Sequence, residues 1–248
     1  NILARLNAVR DEGIDIRADI YPYEHWASNL AILFPDRDYS NRSAAEFTFD
    51  HTASPADILI VHFPPDPDLV GLNIQEIAKM HERDAESTLM QLAREAEDYR
   101  RETGQTGARI VAKGMNESDI MAFAKWPYTN FCSDGGHTIS HPRSYGAFPR
   151  VVRRFVYELE LLSLAEAIHK MTGLPAQSLR IAERGQIHPG LFADLVLFEP
   201  TEIADNATMK EPTALASGIH TVWVNGVVAF SDGEPTRQYS GRLVSLAN

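Results

Sequence analysis

The side chains best suited to chemistry lie where a short apolar run ends in an acid. Asp134 closes the run FCSD at 131–134, and two glycines follow it. Barrel enzymes carry catalytic side chains at the C-terminal ends of parallel strands, where a rigid strand meets a variable loop. A carboxylate there can accept a proton and return it. The letters SDGG are equally typical of an ordinary turn, so the local pattern leaves both interpretations open.

Two histidines and an arginine follow shortly after Asp134 in a loop-like segment: His137, His141 and Arg143. The planar fork of an arginine can bind a carboxylate through two charge-assisted hydrogen bonds, and it can equally form a structural salt bridge. The histidines are candidates for assisting roles in the same loop. We expect Cys132 to be a packing residue rather than a nucleophile.

Alternating helices and strands must position these side chains. A helix, a glycine and an alternating strand fill residues 1–21, with the strand at 14–21. An aromatic loop is predicted at 21–29, and its side chains would either line a pocket mouth or only pack at the strand end. A strand is predicted at 129–133 and a helix at 150–161. This order of elements is typical of an α/β fold.

Local signals define further helices away from that stretch. Residues 72–80 and 85–101 have the apolar spacing of amphipathic helices. Ser163 and Glu166 form a capping box, in which each side chain satisfies a free backbone N–H of the other residue. The capping box predicts a third helix, which we expect to close in a turn at 172–175.

The pattern changes near residue 184, where a turn-rich segment begins. A strand is predicted at 193–198, and two β runs at 219–224 and 227–230 are joined by Asn225-Gly226. Asn-Gly between two such runs is a strong hairpin signal, because both residues accept positive φ. The C-terminal part of the sequence is therefore predicted to form a small β module.

Charge and composition exclude several classes of partner. The sequence of 248 residues has 34 acidic and 23 basic side chains, so its formal net charge is −11. Such a balance argues against nucleic acid and against an anionic membrane surface as partners. No apolar run is long enough to span a bilayer. The single cysteine suits a reducing compartment, and we expect a cytoplasmic protein. Oligomeric state cannot be read from the sequence.

Several motifs in combination resemble one enzyme family, the D-aminoacylase (N-acyl-D-amino-acid deacylase) branch of the amidohydrolase superfamily. The resemblance covers most of the chain and is weaker between about 36 and 116. The motifs that carry it are SDG at 133–135, HPRSYGAFPRV at 141–151, MTGLPA at 171–176, RG at 184–185, PG at 189–190, ADLV at 193–196, GI at 218–219, VWVNG at 222–226 and DIYPY at 19–23.

The resemblance implies an α/β fold, namely the C-terminal part of a metal-dependent (β/α)8 TIM-like barrel. Residues 1–183 would supply barrel strands seven and eight, with an insertion at about 36–116. Residues 184–248 would form a small β-sandwich domain. Asp134 would then end the eighth strand, and Tyr21 would follow the seventh.

The resemblance also implies roles for individual side chains. Asp134 would touch the metal and act as general base and then general acid in hydrolysis of an amide bond. Tyr21, Ser28, His141 and Arg143 would bind a small-molecule substrate through its carboxylate. The spacing around Ser28 differs from that of better-known members.

Zinc, as one or two ions, is the cofactor that the resemblance implies. Zinc needs several protein ligands, and Asp134 is one. The sequence contains no His-x-His pair, so the remaining ligands are expected upstream of Asn1 and the chain alone is expected to be incomplete. The substrate is then an N-acyl-D-amino acid or a related N-acyl or cyclic amide. The alternative is a non-catalytic fragment or binding protein that lacks the metal-ligand histidines.

Overall fold

A computed structural model describes residues 2–136 and 141–244 and shows a mixed α/β fold. The chain divides into two compact units. The first unit comprises residues 2–22, 117–136 and 142–244. The second unit comprises Tyr23–Asn116 together with His141. No helix in the described ranges is both long and apolar enough to cross a membrane.

A parallel pair of short strands lies in the first unit. Helix α1 (Ile2–Asp11) leads to strand β1 (Ala18–Ile20), and helix α5 (Glu117–Lys125) leads to strand β5 (Thr129–Phe131). Asp19 of β1 is in register with Asn130 of β5. The predicted strand at 14–21 was too long, because the ladder with β5 extends only over β1.

The segment after Asp134 is helical earlier than predicted. Helix α6 (Arg143–Arg150) begins within the segment that we expected to be a loop, and a π-helix (Val151–Glu158) continues it. Pro149 lies in the last turn of α6 and cannot donate a helical hydrogen bond. The π-helix is a rare form that is found frequently at functional sites.

Two short helices and a sheet complete the first unit. Helix α7 (Leu164–Met171) has the predicted capping box, and helix α8 (Gly173–Ser178) replaces the predicted closing turn. Pro175 is tolerated in α8 because N–H groups of a first helical turn have no intrahelical partner.

The sheet of the first unit is antiparallel in the order β6-β7-β8-β9, with all four strands in the described C-terminal part of the chain. Asn225 and Gly226 have φ of 50° and 80° at the β7–β8 turn, which confirms the predicted hairpin. Its strands are β6 (Leu195–Phe198), β7 (Ile219–Val224), β8 (Val227–Ser231) and β9 (Glu234–Pro235).

The second unit is built on an antiparallel sheet in the order β2-β4-β3. The strands are β2 (His25–Asn29), β3 (Ile58–His62) and β4 (Arg109–Lys113). The prediction of a loop through 21–29 was wrong for β2, because all five of its residues pair with β4.

Helices surround this sheet. They are α2 (Arg42–His51), α3 (Ile74–Met80) and α4 (Ala85–Thr103). Asn73 and Glu76 form a capping box at the start of α3, and the Asp84 side chain accepts a hydrogen bond from Ser87 N at the start of α4. The core of this unit contains fully buried side chains from the sheet and from the helices, among them Leu30, Ile58, Ile60, Ile74, Ile77, Leu89 and Ile110.

Candidate active site

Two candidate side chains follow neighbouring parallel strands of the first unit. Tyr21 comes directly after β1, and Asp134 comes three residues after the end of β5. Cys132 N donates a hydrogen bond to Ile20 O at 2.9 Å, which continues the pairing beyond β5. Because both strands run in the same direction, the two side chains leave the same edge of the pair. Parallel strands of α/β enzymes carry their chemistry at this edge.

Asp134 is an exposed carboxylate held by a buried arginine. Its side chain is 63% exposed, and its Oδ2 lies 2.8 Å from Nη2 of Arg143, whose side chain is only 4% exposed. Arg143 is the first residue of α6. The ion pair therefore joins the tip of the loop after β5 to the start of the following helix.

The backbone around Asp134 explains the glycine that follows it. Asp134 has φ of 44°, in the left-handed region that Asp tolerates better than most residues. A Cβ on Gly135 would lie 2.8 Å from Cα of Ser144 in α6. The Ser144 hydroxyl also donates a hydrogen bond to Gly136 O at 3.2 Å. The SDGG segment is thus a turn in conformation, and it also presents a carboxylate that Arg143 orients.

Tyr21 lies against the same arginine. The guanidinium carbon of Arg143 is 4.7 Å from the centre of the Tyr21 ring, a distance within the range of cation–π contacts. Burial raises the pKa of Tyr21, with the charge of Arg143 acting in the opposite direction. The phenol therefore stays protonated at neutral pH and can donate a hydrogen bond.

The thiol beside Asp134 is not activated. Burial raises the pKa of Cys132, and the carboxylates Asp19 and Asp134 raise it further. A nucleophilic cysteine needs a lowered pKa. The environment of Cys132 thus agrees with the packing role expected from the sequence.

Ser28 and His141 belong to the second unit and are described within it. Ser28 lies in β2, opposite Ile110 of β4. His141 is fully buried, and its Nε2 donates a hydrogen bond to His25 O at 3.1 Å. The edge of its ring faces Tyr23 at a centroid distance of 5.3 Å. Their substrate-binding roles stay predictions, and His137 lies outside the described residues.

One contact to the turn after β1 was not anticipated from the sequence. Arg150 Nε donates a hydrogen bond to Pro22 O at 2.6 Å. Arg150 stands in the motif at 141–151, yet that motif gives no sign of its partner. Arg143 and Arg150, at the two ends of α6, therefore both contact the Tyr21-Pro22 turn.

Known proteins similar to this chain come from one enzyme family. A sequence model of the amidohydrolase family matches residues 124–230, which include β5, Asp134 and Arg143. The N-acyl-D-glutamate deacylase of Alcaligenes xylosoxydans xylosoxydans is 32% identical over 244 residues, which is 98% of this chain. These matches make the chain similar to the D-aminoacylase branch of the amidohydrolase family.

Solved structures of this amidohydrolase branch share the fold. The crystal structure of D-aminoacylase matches 97% of the chain with a TM-score of 0.77 and 32% identity. An N-acyl-D-glutamate deacylase from Bordetella bronchiseptica, complexed with zinc and a phosphonate inhibitor, matches 94% of the chain with a TM-score of 0.76 and 31% identity. The mixed α/β fold is therefore that of the D-aminoacylase structures.

The chain spans less than half the length of these amidohydrolase relatives. It covers 44% of the Alcaligenes protein, 45% of the D-aminoacylase chain and 43% of the Bordetella chain. The matches therefore cover only part of each relative's chain.

The residues at hand do not by themselves fit a zinc ion. Protein zinc sites use three or four side-chain ligands. No group of three or more His, Cys, Asp or Glu side chains that could hold a metal occurs within residues 2–136 and 141–244. Asp134 offers one carboxylate, which is paired with Arg143. The described residues alone therefore do not provide a zinc site.

Proposed function

We propose that the full-length protein hydrolyses the amide bond of N-acyl-D-amino acids, with Asp134 as its proton-transfer residue. The observation that carries the proposal is the 2.8 Å pair of Asp134 and Arg143 at the C-terminal edge of β1 and β5. A proton carrier and a carboxylate-binding group there lie side by side. The N-acyl-D-glutamate deacylase of Alcaligenes, whose match extends over 98% of this chain, supports the same substrate class.

The proposed architecture follows the same relatives. Strands β1 and β5 are proposed as the seventh and eighth strands of a (β/α)8 barrel, within residues 1–183. Residues of about 36–116 would be an insertion between these strands, and 184–248 a small β-sandwich domain. The parallel register of β1 with β5 and the compactness of Tyr23–Asn116 support this division.

Zinc is proposed as the cofactor of the full-length protein, with most ligands supplied outside the described residues. The zinc complex of the Bordetella deacylase and the binuclear metal centre of a D-aminoacylase structure support one or two ions. A bound zinc ion lowers the pKa of its water and polarises a carbonyl. Asp134 is proposed to touch that site.

Asp134 is proposed to move one proton in two directions. Its carboxylate accepts a proton from the attacking water as the oxygen bonds to the acyl carbon. It then gives this proton to the amide nitrogen as the C–N bond breaks, which releases a carboxylic acid and a free amino acid. The exposure of Asp134 gives water and substrate access to its oxygens.

Arg143 and Tyr21 are proposed to hold the substrate by its carboxylate. The fork of Arg143 suits two parallel hydrogen bonds, and the protonated Tyr21 phenol adds a third donor. Since Arg143 is paired with Asp134 here, the substrate carboxylate would share or replace that partner. Ser28 and His141 are proposed as further substrate-binding residues.

The test is an assay of the full-length protein with zinc and a panel of substrates. The panel contains N-acyl-D-glutamate, N-acyl-D-aspartate, neutral N-acyl-D-amino acids, their L-enantiomers and a hydantoin, and the free amino acid or the ring-opened product is quantified. We expect release from at least one N-acyl-D-amino acid, and loss of that release after chelation. Ring opening of the hydantoin alone would shift the substrate class to cyclic amides, and no product from any of them would contradict the proposal.

A further inference from the structure

Asp205, a buried carboxylate between β6 and β7, forms ion pairs with Arg150 of α6 and with Arg153 of the following π-helix. The Asp205 side chain is only 3% exposed. Its Oδ2 lies 3.2 Å from Arg150 Nη1, and its Oδ1 forms an ion pair with Arg153 Nε at 2.8 Å. A buried charge is costly unless it is paired, and each oxygen of Asp205 faces its own arginine.

The backbone that carries Asp205 is fixed to the small sheet. Ala204 forms an antiparallel bridge with Ser217, two residues before β7. Gly218 has φ of 76°, and a Cβ there would lie 2.5 Å from Ile203 N, so the two segments touch closely. The position of Asp205 is therefore set by the four-stranded sheet and not by a loose loop.

Arg150 connects Asp205 to the turn that follows β1 in the candidate site. While Nη1 faces Asp205, Nε donates a hydrogen bond to Pro22 O at 2.6 Å. Pro22 directly follows Tyr21, whose ring lies against Arg143. One guanidinium thus bridges a carboxylate of the small sheet and the backbone of the turn that carries Tyr21.

Helix α6 supports the turn from both of its ends. Arg143 at its start contacts Tyr21 and Asp134, and Arg150 at its end binds Pro22 O. The orientation of Arg150 then depends on Asp205, because a free arginine side chain has many rotamers.

We propose that Asp205 is a positioning residue that couples the small β sheet to the substrate-binding turn through Arg150. Asp205 forms its ion pairs with Arg150 and Arg153, and it acts by fixing the Pro22 carbonyl and thus Tyr21. In its kinetic part this inference rests on the proposed function, since Tyr21 is there a carboxylate-binding residue.

The experiment compares Asp205→Asn with Glu117→Gln in the full-length protein. Glu117 pairs with Arg154, the next arginine of the same helical segment, through two contacts of 2.9 Å. Loss of this pair leaves the contacts of Arg150 with Asp205 and with Pro22 O in place. We expect Asp205→Asn to raise KM for an N-acyl-D-amino acid about tenfold with a smaller change in kcat, because small displacements of binding groups weaken catalysis strongly. Glu117→Gln should leave KM unchanged.

A second variant and a second readout separate positioning from mere stability. Arg150→Lys keeps the charge opposite Asp205 but cannot place two donors as the guanidinium does, so it should raise KM as Asp205→Asn does, whereas Asp205→Glu should restore KM in part. Hydrogen exchange of the backbone at residues 19–23 should rise in Asp205→Asn and Arg150→Lys, and not in Glu117→Gln.

Equal exchange in all variants, or an equal KM for Asp205→Asn and Glu117→Gln, would overturn the positioning role. If the wild-type protein hydrolyses no N-acyl-D-amino acid, the proposed function fails. The exchange measurement still decides the coupling in that case, since it needs no substrate.

Discussion

The second unit and the β1–β5 pair of the first unit differ in the extent of their apolar packing. In the second unit, a three-stranded sheet and three helices bury a continuous cluster of aliphatic side chains, many of them with no exposed area. In the first unit, β1 and β5 pair over three residues, and none of the ten residues of α1 is buried. Tyr21 and Asp134 of the candidate site follow these two short strands.

The difference separates where stability resides from where the chemistry is expected. A packed apolar core resists change, because deleted methyl groups leave cavities. A site that binds and releases substrate needs exposed polar groups held by a few directed contacts. Here those contacts come from arginines at the two ends of α6. Substitutions at the candidate site should consequently change turnover or KM, and substitutions in the core of the second unit should change the free energy of unfolding.

The largest expected effect is the loss of turnover in Asp134→Asn. General acid–base residues contribute about 10²–10⁴-fold to rate, so kcat of the full-length protein should fall by roughly that factor. The side chain is mostly exposed, and the amide oxygen of Asn can still accept a hydrogen bond from the buried Arg143, so the midpoint of urea unfolding should stay close to that of the wild type. Turnover at the wild-type rate would remove Asp134 from the mechanism.

In the core of the second unit, a substitution is expected to lower the free energy of unfolding. Ile110 in β4 has no exposed area, and Ile110→Ala should lower the free energy of unfolding by about 2–5 kcal/mol, as other buried large-to-small changes do. Ile32 is 60% exposed in the same unit, and Ile32→Ala should change it by less than about 0.5 kcal/mol. Equal costs in urea titrations would show that the cluster does not carry the stability.

A smaller and more selective effect is expected for Arg143→Lys. The charge is kept but the bidentate fork is lost, and hydrogen bonds to charged groups are worth about 1.5–3 kcal/mol. KM for an N-acyl-D-amino acid should therefore rise roughly tenfold or more. The corresponding amino-acid amide, which has no carboxylate, is the control, because its KM should not change. A parallel rise for both substrates would assign Arg143 to structure alone.

The smallest effect is a pH dependence of stability in helix α4. Hydrogen bonds from Arg100 and then Arg101 lower the pKa of Glu97 from 4.5 to about 2. A lowered folded-state pKa stabilises the protein above the unfolded value, and this contribution is lost as the pH falls through the folded value. The stability advantage of wild type over Glu97→Gln should thus be full above about pH 5 and shrink towards pH 2. Exposed Glu102, in the same helix, is the control site.

Features that depend on neighbouring residues were predictable from the sequence. The Asn225-Gly226 hairpin and the capping box of Ser163 and Glu166 were both confirmed, because their signals lie within four residues. Asp134 was singled out for the same reason, as an acid after an apolar run. A structural salt bridge was one of two roles left open for Arg143, with no partner predicted, and the structure pairs Arg143 with Asp134.

Features that depend on distant partners were missed. The sequence predicts a loop where strand β2 lies, because the partner strand β4 is far along the chain and aromatic residues suit either structure. The helical start at Arg143 was hidden by Pro142 and Pro149, which usually mark loops. Nothing near Asp205 in the sequence points to Arg150, since their contact is formed only when the chain is folded.

The most direct test is a structure of the full-length protein with zinc and a non-hydrolysable N-acyl-D-amino acid analogue that bears a phosphonate at the reacting carbon. The account predicts that the analogue's carboxylate lies on Arg143 within hydrogen-bonding distance of Tyr21, with an Asp134 oxygen facing the phosphonate. An analogue bound elsewhere, with Arg143 still paired to Asp134 as in this structure, would contradict it.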